Sequence, residues 1–140
     1  MFSKPQGGWS LLEVGDFKFP MSYTTDVPND FLDALITAIK HNVNTFVTVD
    51  GESEGECEIL FNIHRNTVCA LKFPDGLLER VEYEFYTTSV FSFAEEFLKD
   101  LEENFDSWSK WWGFEEEGSK YHIPKEKIDE LHQLLLHTKE

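Results

Sequence analysis

The spacing of apolar residues changes period several times along the chain, and each change marks an element. Residues 9–19 read as two short strands joined by a turn at Gly15-Asp16, the second ended by Pro20, with a polar, turn-like stretch over 21–27. From Pro28 the period becomes helical. Phe31, Leu32, Leu35, Ile36 and Ile39 recur at steps that fill one face, Pro28 suits a first turn, and Asn42 is a stop signal, which predicts a helix over 28–41. Residues 43–49 are β-branched and end at the turn signal Asp50-Gly51. Alternation then sets in over 54–65, with Cys57, Ile59, Phe61 and Ile63 on one side and Glu54, Glu56, Glu58, Leu60 and Asn62 on the other.

Two further alternating runs complete an expected three-stranded antiparallel meander over about 54–88. Residues opposite each other in such a pair share a face, so the apolar sets suggest a register. Cys69, Leu71 and Phe73 match Ile63, Phe61 and Ile59 through a three-residue loop, Arg65-Asn66-Thr67, with positive φ at or near Asn66. A shorter loop sets Lys72 opposite Ile59 in the core and is disfavoured. The next hairpin then pairs Phe73 with Val81, Leu71 with Tyr83 and Cys69 with Phe85. A second helix is expected over 92–112: Ser92 and Glu95 form a capping box, and Ala94, Phe97, Leu98, Leu101, Phe105, Trp108 and Trp112 keep one face until Gly113. A third, over 124–137, carries Ile128, Leu131, Leu134 and Leu135. The order predicts a single α+β domain, residues 1–140, with the helices mainly on one face of an antiparallel sheet.

Hydrophobic residues at 41% and aromatics at 15% supply a packed core, which excludes a disordered acidic tail. Charge changes the picture more. Twelve Lys+Arg against 27 Asp+Glu give −15, and such a surface repels phosphate backbones and anionic lipid, so neither nucleic acid nor membrane is an expected partner. The start of the chain lacks the cationic and apolar regions of a signal peptide, and no apolar stretch approaches a bilayer span, so the expected location is the cytoplasm. Cys57 and Cys69 make no disulfide framework and read as small, inward-facing, reduced side chains.

Residues capable of chemistry do not converge in a recognised pattern. His41, His64, His122, His132 and His137 form no HExxH or HxH spacing, and no CxxC occurs, so no metal or cofactor is expected. Asp50-Gly51-Glu52-Ser53-Glu54 lacks the ligand spacing of a calcium loop. The carboxylates cluster in exposed-looking runs, whereas a general acid sits in an apolar pocket that raises its pKa. An enzyme is therefore not the expected reading.

What stands out is where the acids lie. Residues 95–117 hold nine acids against two lysines. Solvated helix backs and sheet faces explain any one cluster, but −15 exceeds what solubility asks of a small domain and carries self-repulsion that a cationic partner relieves. The candidate partner-binding residues are Glu54, Glu56, Glu58, Glu82, Glu84 and Tyr86 on the polar strand face. Asp100, Glu102, Glu103 and Asp106 on the second helix join them, with Glu115, Glu116 and Glu117 beyond it. Trp111 lies off the core stripe, which makes it either an interface anchor or a cover for the third helix.

The acidic run Glu54–Glu58, the acidic helix 95–106 and Trp111-Trp112-Gly113-Phe114 followed by three glutamates give a profile that resembles the small acidic immunity proteins that bacteria carry beside secreted or contact-dependent toxins. The resemblance lies in overall character and transfers no functional residue. It implies a non-enzymatic inhibitor of a cognate toxin, often a nuclease, whose active site is basic because its substrate is polyanionic. Association is then steered by opposite fields and held by buried anchors. The competing readings are a nucleic-acid mimic, which needs carboxylates in a regular row at phosphate-like spacing, and a small enzyme built on a carboxylate pair.

Overall fold

The structure, a computed structural model, describes residues 1–73, the backbone of 82–85, and residues 88–111 and 123–138. It is an α+β fold with two antiparallel sheets. β1 (Trp9–Val14) and β2 (Phe17–Ser22) form a two-stranded ribbon. A four-stranded sheet takes the order β3 (Thr45–Asp50), β4 (Glu56–Asn62), β5 (Thr67–Phe73), β6 (Glu82–Phe85). The helices are α1 (Val27–His41), α2 (Val90–Glu103), the single turn α3 (Phe105–Trp108) and α4 (Lys125–Thr138). Among the described residues no helix is long and apolar enough to cross a membrane.

Local chemistry explains most boundaries. Gly15 takes φ +59° in the tight turn that pairs Val14 with Phe17, as expected. β2 does not end at Pro20 but runs on to Ser22, with Met21 and Ser22 fully buried. A two-stranded ribbon has an outer side on which proline's missing N–H leaves no ladder bond unmade. α1 starts at Asp26, whose carboxylate accepts the Asn29 N–H, and it stops where Asn42 turns left-handed at φ 54°. α2 begins one turn earlier than the Ser92–Glu95 box suggests. Ser89 is the N-cap and accepts the Ser92 N–H at 3.0 Å, which brings Val90 and Phe93 into the buried stripe. Nor does α2 reach 112: the backbone breaks at Asn104 and resumes as α3. Trp112, Gly113 and the glutamates at 115–117 lie outside the described residues.

The main correction concerns the first meander hairpin. Phe61 pairs with Val68, Ile59 with Ala70 and Cys57 with Lys72, so Cys69, Leu71 and Phe73 stand opposite Leu60, Glu58 and Glu56. The offset from the expected pairing is odd, which carries every β5 side chain to the other face. Asparagines hold the actual loop, Ile63 to Asn66. Asn62 Oδ1 accepts the Arg65 N–H, Asn66 sits at φ 52°, and its Oδ1 accepts the Val90 N–H at the start of α2. Lys72, which counts against a shorter loop that sets it opposite Ile59, here stands opposite Cys57 across a longer loop. It lies at the end of the core face, its ammonium 4.8 Å over the Phe17 ring, so it reaches out of the core without an unpaired charge. The second hairpin pairs Cys69 with Phe85 and Leu71 with Tyr83 as expected; Val81 lies outside the described residues.

The core therefore joins Val47, Val49, Cys57, Ile59, Phe61, Val68 and Ala70 of the sheet to the buried faces of α1, α2 and α4. Phe2 is 5% exposed at its centre, within 5.3–6.0 Å of the Phe31, Phe93, Phe97 and Trp108 rings in edge-on or tilted contact. Cys57 is buried in this core. Cys69, expected on the same inward face, lies half-buried on the opposite one, and both thiols are free.

Candidate functional site

Three helices set the geometry of the acidic surface. α4 packs mainly on α1 and more lightly on α2, leaving a groove of about 380 Å³ between α2 and α4. Leu98 and Leu135, each nearly buried, form its floor, and Leu136, 58% exposed, stands on one wall. Glu95, Glu102 and Glu103 rim it, with Lys99 and His132 as the cationic or titratable neighbours. The periodicity of α2 explains the rim: Phe97, Leu98 and Leu101 fill the inward face, so the glutamates must emerge at its margin. His132 Nε2 meets Glu102 Oε1 across the groove, tying α4 to α2. The arrangement suits an apolar anchor flanked by positive charge, because a leucine floor desolvates the anchor while the rim attracts the cations.

No protein family, curated protein or solved structure matches this chain. The reading of the surface therefore rests on its own geometry.

The expected partner residues do not form one surface. Glu102 and Glu103 are brought together at the groove, and Asp106 is exposed farther along on α3. Asp100 is withdrawn: its Oδ2 accepts the Phe2 N–H at 2.9 Å and lies 3.5 Å from the Met1 amino nitrogen, so its function is to clamp the N-terminal segment over the aromatic core. Glu54 lies in a 3₁₀ turn, Glu52–Glu54, rather than on a strand. Glu56 and Glu58 do lie on the outer sheet face, opposite Phe73 and Leu71. The register sets Glu82 opposite Lys72 and Glu84 opposite Ala70, in the other set of rows. Tyr86, Glu115, Glu116 and Glu117 lie outside the described residues.

Trp111 is a further correction. Its side chain is completely buried, its ring centroid 5.2 Å from that of Trp108, and its Nε1–H donates to the Thr25 carbonyl at 2.7 Å. α3 closes at Trp108 and the chain turns there, the Trp111 N–H donating to the Trp108 carbonyl, so a position that an unbroken helix sends outward turns in. Exposed apolar residues lie elsewhere, at Phe46 (59%) and Leu136 (58%). Sequence reasoning missed both, although Phe46, among polar threonines, and Leu136, beyond Leu134 and Leu135, each exceed what one buried face accommodates.

Two acidic positions carry local duties instead. Asp50 accepts the Thr24 hydroxyl and the Glu52 N–H, which fixes the β3–β4 connection. Burial pushes the Asp30 carboxyl up from its ordinary value, with the nearby Asp26 and Asp33 charges adding to the effect and Lys127 opposing it.

Proposed function

We propose that this chain is a non-enzymatic acidic inhibitor that binds and neutralises a basic protein in the cytoplasm, in the manner of a bacterial immunity protein, the partner being a cognate toxin domain such as a nuclease. The observation that carries the reading is the α2–α4 groove, where a leucine floor and a rim of Glu95, Glu102 and Glu103 occur on a chain of net charge −15. A nuclease presents cations where its substrate's phosphates bind, so an acidic rim competes for the same charges without presenting a cleavable bond. The leucine floor supplies burial, which sets the off-rate, while the rim sets the on-rate. The nucleic-acid mimic is the weaker reading, because Glu54 stands in a turn and the strand glutamates divide between register rows rather than forming a regular series.

The test is co-expression with the toxic domain encoded beside this gene, scored by growth and by isolation of the complex. Rescue and a complex are expected. Glu102→Lys with Glu103→Lys is expected to lower the association rate by about tenfold or more at low salt, and Leu136→Ser to raise the dissociation rate. A toxic neighbour that is neither bound nor neutralised overturns the reading. A complex indifferent to salt and to the charge reversals keeps the partner and removes the electrostatic mechanism.

A further inference from the structure

β3 is an edge strand of its sheet, and among the described residues its outward backbone has no strand partner over the segment beside α1. The Gly51 N–H donates to the Gly55 carbonyl at 2.8 Å, continuing the register that pairs Val49 with Cys57 and Val47 with Ile59. Hydrogen-bonded pairs alternate along an antiparallel ladder, so odd-numbered residues of β3 address β4, while Phe46, Thr48 and Asp50 direct N–H and C=O to the open side. Near Asp50 that side is approached by β2, where the Pro20 carbonyl lies 3.0 Å from a Cβ placed on Gly51. Around Phe46 and Thr48 no described strand pairs with it. Natural edges are blunted by lysine, proline or bulges, and Thr45–Asp50 carries none of these.

The open edge borders a groove of about 620 Å³ between β3 and α1. Ala34 and Val47 line its inner side, Phe46 stands exposed at its mouth, and Asp30 and Asp33 lie one helical turn apart along α1. Thr25 lines the same groove, with its buried Oγ1 lacking a hydrogen-bond partner among the described residues. Asp33 is held by Lys127 at 2.7 Å, whereas no cation lies at salt-bridge distance from Asp30 among the described residues.

We infer that the β3 edge is a strand-addition site that takes an extended, lysine- or arginine-bearing segment of a basic protein. Main-chain hydrogen bonds form to Phe46 and Thr48, an apolar side chain of the incoming strand packs on Phe46, and cations of the segment face Asp30 and Asp33. A second copy of this chain is the other natural occupant of an open edge, but it brings −15 of like charge to an acidic groove. The inference rests on the reading of a basic partner and specifies how part of that partner is held.

The probe is a capped peptide of about ten residues alternating lysine and valine, long enough to span the open edge. Amide exchange is read by nuclear magnetic resonance. Saturating peptide is expected to slow exchange at Phe46 and Thr48 by at least about tenfold; the same peptide N-methylated at alternate residues, and one with glutamate in place of lysine, are expected not to. Thr48→Pro removes only an outward N–H, so it is expected to keep the fold and weaken peptide binding at least about tenfold. Equal binding of the N-methylated peptide, protection confined to the α2–α4 groove, or protection of Phe46 and Thr48 that grows with protein concentration alone overturns the inference. The inhibitor reading fails separately. Protection by the peptide with no complex from the toxic neighbour removes that reading and leaves the edge site. A toxin complex weakened by Glu102→Lys and Glu103→Lys but untouched by Thr48→Pro removes the edge site alone.

Discussion

Trp111→Ala separates a core residue from an interface anchor, because the two roles predict opposite pairs of results. The indole is fully buried, packs at a tilt against the Trp108 ring and donates to the Thr25 carbonyl. Removing about 150–200 Å² of apolar surface at about 25 cal/mol per Å² forfeits about 4–5 kcal/mol. Partial burial in the unfolded chain reduces this, and the Thr25 carbonyl left without its donor adds about 1 kcal/mol back. The net expectation is a loss of about 3–5 kcal/mol, the range of other large aromatic truncations. With a urea slope of about 2 kcal/mol per M, the unfolding midpoint falls by about 2 M. Trp111→Phe keeps a ring and loses the donor, and is expected to cost about 1–2 kcal/mol. Equilibrium urea unfolding followed by circular dichroism reads both. A midpoint unchanged within about 0.3 M in Trp111→Ala, together with weakened partner binding, refutes the burial argument and restores the indole to the surface.

The remaining expectations concern the thiols, Asp30 and salt. Burial pushes the Cys57 thiol up to about 12 while Cys69 is half-exposed, so a thiolate-specific reagent at pH 8 is expected to label Cys69 and to reach Cys57 only after denaturation; simultaneous native labelling contradicts the facing assignment. Because the folded-state pKa of Asp30 is raised, its ionised form costs stability that is absent below the unfolded value of 3.8 and grows as pH rises through the folded value. Asp30→Asn is therefore expected to stabilise at pH 7 by about 0.5 kcal/mol or less, since the carboxyl is only partly buried and its open side is screened by solvent, and by nothing near pH 3; a loss at pH 7 defeats the assignment. Self-repulsion at −15 predicts that thermal stability rises between about 0.05 and 0.5 M sodium chloride, while association with a basic partner weakens; a melting temperature that falls with salt rejects this account.

Helices and turns were legible wherever one local rule acted alone. The 28–41 periodicity, the Gly15-Asp16 turn and the leucines of 124–137 correspond to α1, the ribbon turn and α4 within a residue or two. β5 was not legible in the same way, because Val68-Cys69-Ala70-Leu71 is apolar on both parities. Period alone cannot choose a face for such a strand. The choice falls to tertiary contacts, with Ala70 buried toward the helical side of the sheet and Asn66 tied to the start of α2. The groove acids Glu102 and Glu103 were legible from the polar back of α2, but the groove itself requires α4, whose position depends on pairs distant in sequence such as Lys127 with Asp33. Asp100 and Trp111 were not legible as core contacts because their partners, Phe2 and Thr25, are 98 and 86 positions away and outside any local pattern.

Those long-range pairs also account for the one-sided field of the molecule. Lys40 binds Glu130 at 3.0 Å and Lys127 binds Asp33, so two cations serve to fix α4 against α1. Lys72 lies over the Phe17 ring, and Lys125 sits 5.6 Å from the centre of the Phe105 ring. Each of these charges is held against the protein's own acids or aromatic rings, while Lys99 stays beside the α2–α4 groove and Lys127 lies near enough to Asp30 to oppose the rise of its pKa. The acids outnumber the cations 27 to 12, and these contacts engage four of the twelve. Glutamates outnumber cations around the α2–α4 groove, Asp30 and Asp33 line the β3 groove, and in each place an apolar group, Leu136 or Phe46, also reaches solvent. Coincidence of charge with exposed apolar surface is what distinguishes a binding surface from a merely solvated one, since charge alone steers an encounter and burial is needed to hold it. The two proposed surfaces differ in what each would hold: the helical groove a side-chain anchor, and the β3 edge a backbone. A partner using both presents a compact basic face and an extended arm, and its affinity depends jointly on Leu136 and on the outward amides of Phe46 and Thr48.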